Sequence, residues 1–260
     1  MCFKNAMRFT LINVLAVVML SSCASKKEIL YFQDAESLYN TALKFSTNTL
    51  QPNDIISVRI ESSIIEAAQP YNSITNQGNA NINNPEALKL QGYLVREDHT
   101  VILPVLGSVN VKDKTPSMLE AHIVSILVEG KHLKDPTVSV RVVNAKVTIL
   151  GEVRNPGTFT YTEQTITLPQ ALGLAGDLTI NAVRDDVLVI REVDGVLTTA
   201  HIDMTKTDWF QSPYYRIKQN DVIVVNPNNP KVKTAGFIGN IGTLLSVTSV
   251  LLSSIILITR

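Results

Sequence analysis

Leu50-Gln51-Pro52-Asn53-Asp54, continued by Ile55-Ile56-Ser57-Val58-Arg59-Ile60, is the stretch from which the fold is read. Pro52 and Asn53 are turn residues, and beyond them Ile56, Val58 and Ile60 fall on one face of a strand. A strand that is apolar on one side needs a second layer, and the chain downstream offers the parts. Tyr93-Leu94-Val95-Arg96 and Val101-Ile102-Leu103, separated by Glu97-Asp98-His99-Thr100, read as a β-hairpin that Pro104 and Gly107 bring to an end. Thr115-Pro116 reads as an N-cap with proline in the first helical position. Leu119, Ile123, Ile126 and Leu127 then recur on one face of a short amphipathic helix. After Lys134-Asp135-Pro136, the run Thr137-Val138-Ser139-Val140-Arg141-Val142 alternates and turns three valines inward. Between these elements, Tyr71 to Pro85 carries Asn72, Asn76, Asn79, Asn81, Asn83 and Asn84, the composition of a solvated loop. The expectation is a first α+β domain over 49–143.

Outward from it, Val147-Thr148-Ile149-Leu150-Gly151-Glu152-Val153 precedes Asn155-Pro156-Gly157, where proline suits the first central turn position and glycine the second. Strand, tight turn and strand are expected. Leu168, Ala171, Leu172 and Ala175 form a brief helical face that stops at Gly176. Val187-Leu188-Val189-Ile190-Arg191, a turn at Asp194-Gly195, and the apolar run Val222-Ile223-Val224-Val225 complete a second small β-rich domain over 144–227. Pro227 and Pro230 mark a linker over 228–236.

Both ends of the chain read as membrane-directed. Lys4 and Arg8 precede an apolar run from Phe9 to Leu20, too short to span a bilayer but suited to a secretory signal. The run ends in Leu20-Ser21-Ser22-Cys23, which resembles a lipobox, so residues 1–22 are expected to be removed and Cys23 to be lipidated. Cys2 leaves with the signal, which makes Cys23 the sole thiol in an oxidising compartment and excludes a structural disulfide. Residues 23–48, polar and without sustained period, are expected to be a lipidated tether. At the other end Phe237 to Thr259 has no charged residue. As a helix it would measure about 34 Å, against a hydrocarbon core of about 30 Å. It is expected to be a transmembrane α-helix. Gly239, Gly242, Ser246, Ser249 and Ser253 recur along one stripe of it, a pattern that permits close helix–helix approach in lipid. The alternative is a single-pass anchor whose serines are incidental.

Composition and spacing bear on function mainly by exclusion. Among 260 residues, 23 Lys and Arg balance 23 Asp and Glu, which offers no electrostatic footprint for nucleic acid. His99, His122, His132 and His201 stand apart without metal-ligand spacing, and Asp185-Asp186 reads as part of a solvated turn, so neither catalytic residues, cofactor nor metal is expected. Gly236, Gly239 and Gly242 do not make a phosphate loop, because no strand precedes them and no lysine follows.

Taken in order, these landmarks resemble the Wza-like outer-membrane polysaccharide export lipoproteins. Leu50 to Ile60 is similar to the opening of their export domain, usually written Pro-Gly-Asp where this chain has Pro52-Asn53-Asp54. Tyr93-Leu94-Val95 with Ile102 to Gly107 resembles the central hairpin, and Pro136 to Val142 the closing strand. Val147 to Phe159, Leu168 to Thr179 and Asp221 to Pro227 resemble an SLBB domain, a β-grasp-like module associated with soluble-ligand or sugar binding. His99 and Asp177 stand where the family usually has glycine, and both residue types tolerate a left-handed backbone better than most.

The resemblance implies a ring of identical subunits, commonly octameric, in the outer membrane, with the folded domains in the periplasm and the lipid on Cys23 holding the ring to that membrane. It implies polysaccharide as cargo, passing without chemistry through a pore of C-terminal helices, and an inner-membrane polysaccharide co-polymerase as partner. The rival reading is a lipid-anchored periplasmic glycan-binding adaptor or sensor.

Overall fold

The computed structural model describes residues 26–38, 48–72, 91–193, 195–234 and 241–258. In the first unit, strand β1 (Ile55–Glu61) lies between β2 (Tyr93–Leu94) and β5 (Thr137–Val142) in an antiparallel sheet. Its register with β5 runs from Ile56 opposite Val142 to Glu61 opposite Thr137. The alternation read from sequence is the observed one, with Ile56, Val58 and Ile60 buried beside Val138 and Val140. Helix α2 (Pro116–Glu129) covers the sheet with Leu119, Ile123 and Leu127, none of which is solvent-exposed. Its N-cap is Thr115, whose hydroxyl accepts the Met118 N–H at 3.2 Å. A single-turn helix, α1 (Ile65–Ala68), follows β1, and Asn72 ties the two together by bonding both backbone groups of Ile60 and the Ala68 carbonyl.

The hairpin forms one step later than expected. β2 pairs with β1, while β3 (Thr100–Leu103) pairs with β4 (Gly107–Asn110). Pro104 and Gly107, expected to end the run, instead make its turn, with Val105 at φ 64° and Gly107 at φ 71°. The later pairing buries Val101, Leu103 and Val109 on the core side, and β2 is left free to complete the edge of β1. Residues 97–100 still form a tight turn, closed by Arg96 N–H to the Thr100 carbonyl at 2.9 Å, with His99 in the left-handed region at φ 57°.

The second unit is a five-stranded mixed sheet in the order β10-β9-β12-β6-β7. Its strands are β6 (Lys146–Gly151), β7 (Gly157–Thr160), β9 (Ala182–Val193), β10 (Val196–Ile202) and β12 (Val222–Pro227); β12 runs parallel to β6 and antiparallel to β9. β8 (Ile166–Thr167) pairs with β11 (Arg216–Ile217) at one side. Helix α3 (Leu168–Leu174) buries Leu168, Ala171 and Leu172 and begins with a capping box between Thr167 and Gln170. The chain leaves it through Gly176 and Asp177, both left-handed at φ 78° and 74°. Gly151 is required where β6 meets β12: its φ is 91°, and a Cβ there would stand 2.0 Å from the Val225 carbonyl oxygen.

Two further expectations are corrected, the turn at Asp185-Asp186 and the transmembrane helix. Asp185-Asp186 lies inside β9 rather than in a turn, because that strand extends to Ala182 and turns Asp185 to solvent. The 228–236 linker is helical over α4 (Asn229–Thr234).

Where it is described, the tether is docked on the second unit. Phe32 and Gln33 donate their backbone N–H groups to the carbonyls of Met204 and Thr205 at 3.2 and 2.7 Å. The Phe32 ring packs against Trp209 and Phe210. The Tyr31 hydroxyl donates to Asp177 at 2.7 Å, beneath the Arg184 guanidinium. Two adjacent aromatic side chains can bury more apolar surface than a free polar segment requires, and that surface holds the segment down.

Helix α5 spans Ile241–Ile258, 18 residues, where the transmembrane helix was expected over 237–259. At 1.5 Å per residue it measures about 27 Å, short of a hydrocarbon core of about 30 Å. Among the described residues no helix is long and apolar enough to cross a membrane.

Candidate functional site

The two units meet over a very short connection. Val142, the last residue of β5, packs against both hydrophobic cores, and β6 begins at Lys146. Asn144 lies between them and bonds in both directions. Its Oδ1 accepts the Ile55 N–H at 2.8 Å and its Nδ2 donates to the Asn53 carbonyl at 2.9 Å, while Gln219 of the second unit reaches the same Oδ1 at 3.4 Å. Asn48 donates to the Ile217 carbonyl at 3.2 Å across the same seam.

A cavity of about 290 Å³ opens beside this junction. Leu50, Asp54, Ala145 and Tyr161 line it and are buried, at 2, 3, 5 and 7 % exposure. Its outer wall includes Arg141, Glu163, Gln164 and Lys218, so two basic and two acidic side chains border the space when Asp54 is counted.

Asp54 reaches the cavity because of the turn that introduces β1. Asn53 takes a left-handed φ of 70°, the conformation that explains glycine in the family pattern, and donates its N–H to the Val95 carbonyl at 2.9 Å. Asp54 returns the bond, its carbonyl accepting from Val95 at 2.8 Å. One carboxyl oxygen, Oδ2, accepts the Gln51 N–H at 3.0 Å and closes the turn. The other, Oδ1, is buried without a hydrogen-bond partner among the described residues. Burial disfavours the charged form and pushes the Asp54 carboxyl up to about 6, against the opposing pull of the Gln51 hydrogen bond. Tyr161, the residue after β7, lines the same cavity. Burial, and after it the carboxylates of Asp221 and Asp54, raise its hydroxyl above the ordinary tyrosine range, so it remains a proton donor at any physiological pH.

The rim on the second unit is held by a buried ion pair. Arg191 of β9 grips Asp221 with two parallel bonds, Nε to Oδ1 at 2.9 Å and Nη2 to Oδ2 at 2.7 Å, and both side chains are inaccessible or nearly so. Its remaining donors bond the Pro213 and Arg216 carbonyls, each at 2.9 Å, and its guanidinium stacks 4.7 Å from the Tyr214 ring centre. Asp221 in turn accepts the Lys218 N–H at 2.8 Å. Burial raises the Asp221 carboxyl while Arg191 opposes that rise. One fork therefore fixes the loop that presents Lys218 and Gln219 to the cavity.

The residues singled out from sequence lie elsewhere. Cys23 and Gly239 fall outside the described residues. Gly242, Ser246, Ser249 and Ser253 are exposed on α5. Ser249 and Ser253 donate their hydroxyls back to the helix, to the Ser246 and Ser249 carbonyls at 2.9 and 2.7 Å. His132 bonds the Tyr71 hydroxyl at 3.0 Å and His201 pairs with Asp186 on the exposed side of the β9–β10 ladder, in separate units. Among the described residues no three His, Cys, Asp or Glu side chains gather as a metal site would require. Asp54 and Tyr161 were missed. The sequence marked Asp54 only as the acid of the Pro52-Asn53-Asp54 turn, and nothing in the linear order places it on one cavity with Tyr161.

Comparison with known families gives two matches. Residues 44–143 match the family described as polysaccharide biosynthesis/export protein, and residues 146–199 match the SLBB domain. No curated protein matches the chain.

Proposed function

The chain is a polysaccharide export-related protein that carries an export domain followed by an SLBB domain, and from that premise we propose that copies of it assemble into an outer-membrane conduit for capsular or extracellular polysaccharide. The observation that supports this reading most is the direct coupling of the two domains through Val142 and Asn144. A short, doubly bonded connection suits a subunit that must keep one shape around a ring. The protein acts without covalent chemistry, offering a hydrated passage to cargo delivered by an inner-membrane co-polymerase.

The N-terminal lipid on Cys23 would hold the ring to the outer membrane. Cys23 precedes Tyr31 by eight residues, so even full extension places the lipid within about 29 Å of the point where Tyr31 docks on the SLBB domain. The uncharged helix α5 contributes the second membrane-directed element. Its Gly242, Ser246, Ser249 and Ser253 stripe is the contact between neighbouring C-terminal helices, since small side chains allow the closest backbone approach.

Native mass spectrometry of the full-length protein extracted in mild detergent, with negative-stain imaging, tests the proposal. A closed ring with a central opening that Gly242→Leu disrupts is the expected result. A monomer, or an assembly that Gly242→Leu leaves unchanged, overturns the proposed helix-lined conduit; the monomer would favour the lipid-anchored glycan-binding adaptor.

A further inference from the structure

We infer that the outer face of the five-stranded sheet is a self-complementary docking surface, on which a second copy of this chain seats its own sheet about a two-fold axis running along β12. Register fixes what the face presents. Leu188 and Ile190 of β9 stand beside Val224 and Val222 of β12, which stand beside Leu150 and Thr148 of β6. Thr199 of β10 and Thr158 of β7 close the middle row at either edge. The 3.0 Å contact between the Thr148 and Thr158 hydroxyls shows that those two share the face. Alternation sends Val187, Val189, Ile223 and Val225 into the core instead. Leu188, Ile190, Val222 and Val224 are only partly buried, Leu150 is 43 % exposed, and none of the five is part of either hydrophobic core. Strands that read as unbroken apolar runs, as Val187 to Ile190 and Val222 to Val225 do, are ordinarily covered on both sides. Among the described residues only the core side is covered, and an apolar patch with a polar rim is what a protein–protein contact uses.

Charge selects the occupant. Glu192 continues the outer side of β9 one step beyond Ile190, and Lys146 continues that of β6 one step beyond Thr148; both are exposed. They occupy opposite corners, one strand to either side of β12. A two-fold axis along β12 exchanges the two sides of the sheet. Glu192 of each copy then meets Lys146 of the other, Leu188 meets Leu150, Thr199 meets Thr158, and Val222 and Val224 meet their own counterparts. Five strands about 4.8 Å apart and three rows about 6.7 Å apart make a face of roughly 19 Å by 13 Å. That is smaller than the about 800 Å² per partner of a standard interface, so the pairing is weak and reversible. A two-fold contact adds to a ring rather than closing one. The inference therefore goes beyond the proposed conduit, and either can fail without the other.

The test is disulfide trapping in the full-length protein in mild detergent. Val224→Cys lies by the axis, so mild oxidation should link two copies, seen as a reducible dimer in denaturing electrophoresis. Seating raises the local thiol concentration, and the link should form at least about tenfold faster than with Ser108→Cys, an exposed site on the first unit. Wild type, with Cys2 and Cys23, sets the background. Leu150→Cys combined with Leu188→Cys is a second trap: the two positions lie about 10 Å apart across β12 in one sheet, too far for a bond within the chain, so any link joins two copies. Glu192→Lys added to Val224→Cys sets like charges against Lys146 and should slow trapping about tenfold, and Lys146→Glu added to both should restore it. Links from both traps no faster than with Ser108→Cys, or a charge exchange that fails to restore trapping, overturns the inference.

Discussion

Replacing Asp54 with asparagine should remove a pH dependence of stability that this one carboxyl imposes. The folded protein holds the Asp54 proton until about pH 6, whereas the unfolded chain releases it near the ordinary value of 3.8. Between those limits the folded state binds more protons, so stability falls as pH rises. Below 3.8 both states are protonated and nothing is lost; above about 6 both are ionised and the loss is complete. Each pH unit of that gap is worth about 1.4 kcal/mol, which makes the full loss about 2–3 kcal/mol. Asparagine keeps an oxygen for the Gln51 N–H that Asp54 Oδ2 now accepts, so the turn survives. Its amide meets the unpartnered Oδ1 position, a cost of about 1–3 kcal/mol that does not vary with pH. The assay is urea unfolding of wild type and Asp54→Asn, followed by circular dichroism from about pH 4.5 to about pH 7.5. The variant should gain on the wild type up to about pH 6 and hold a constant difference above it. A stability difference that stays constant within about 0.5 kcal/mol would refute the reasoning, because then the buried carboxyl does not carry the titration.

Two other outcomes are expected from the same structure. Arg191→Met leaves the wholly buried Asp221 carboxylate without its partner, at a cost of about 3–5 kcal/mol. The melting temperature read from Trp209 fluorescence, in the same domain, should fall by more than about 10 °C, and Asp221→Leu added to it should recover part of that loss. Tyr31→Ala removes the hydrogen bond to Asp177 and the face on which Arg184 rests; hydrogen exchange should then rise across residues 27–38 while the β9–β12 ladder stays protected, and unchanged exchange there would show that Phe32 alone holds the segment.

Local periodicity carried the reading furthest where one residue's environment depends on neighbours two or four places away. Ile56, Val58 and Ile60 on β1, Leu119, Ile123 and Leu127 on α2, and Leu168, Ala171 and Leu172 on α3 all face the cores as their spacing requires. Caps and turns were legible for the same reason: Thr115, Gly176 and the left-handed His99 and Asp177 each act within a few residues of chain. Pairing was less so. The shift of the hairpin to β3 and β4 depends on β1 needing β2 at its edge, a requirement set by strands far apart in sequence.

What the sequence determined by itself was therefore the inventory of elements and the family to which their order points, because propensity, alternation and capping are short-range. The tertiary structure alone decided that Tyr31 and Phe32 dock on the second domain, that Arg191 closes on Asp221, and that Asp54 and Tyr161 line one cavity at the domain seam. Those contacts join residues whose separation along the chain carries no periodic signal, and burying an aromatic ring or pairing a buried charge is favourable only once the surrounding strands and loops are packed.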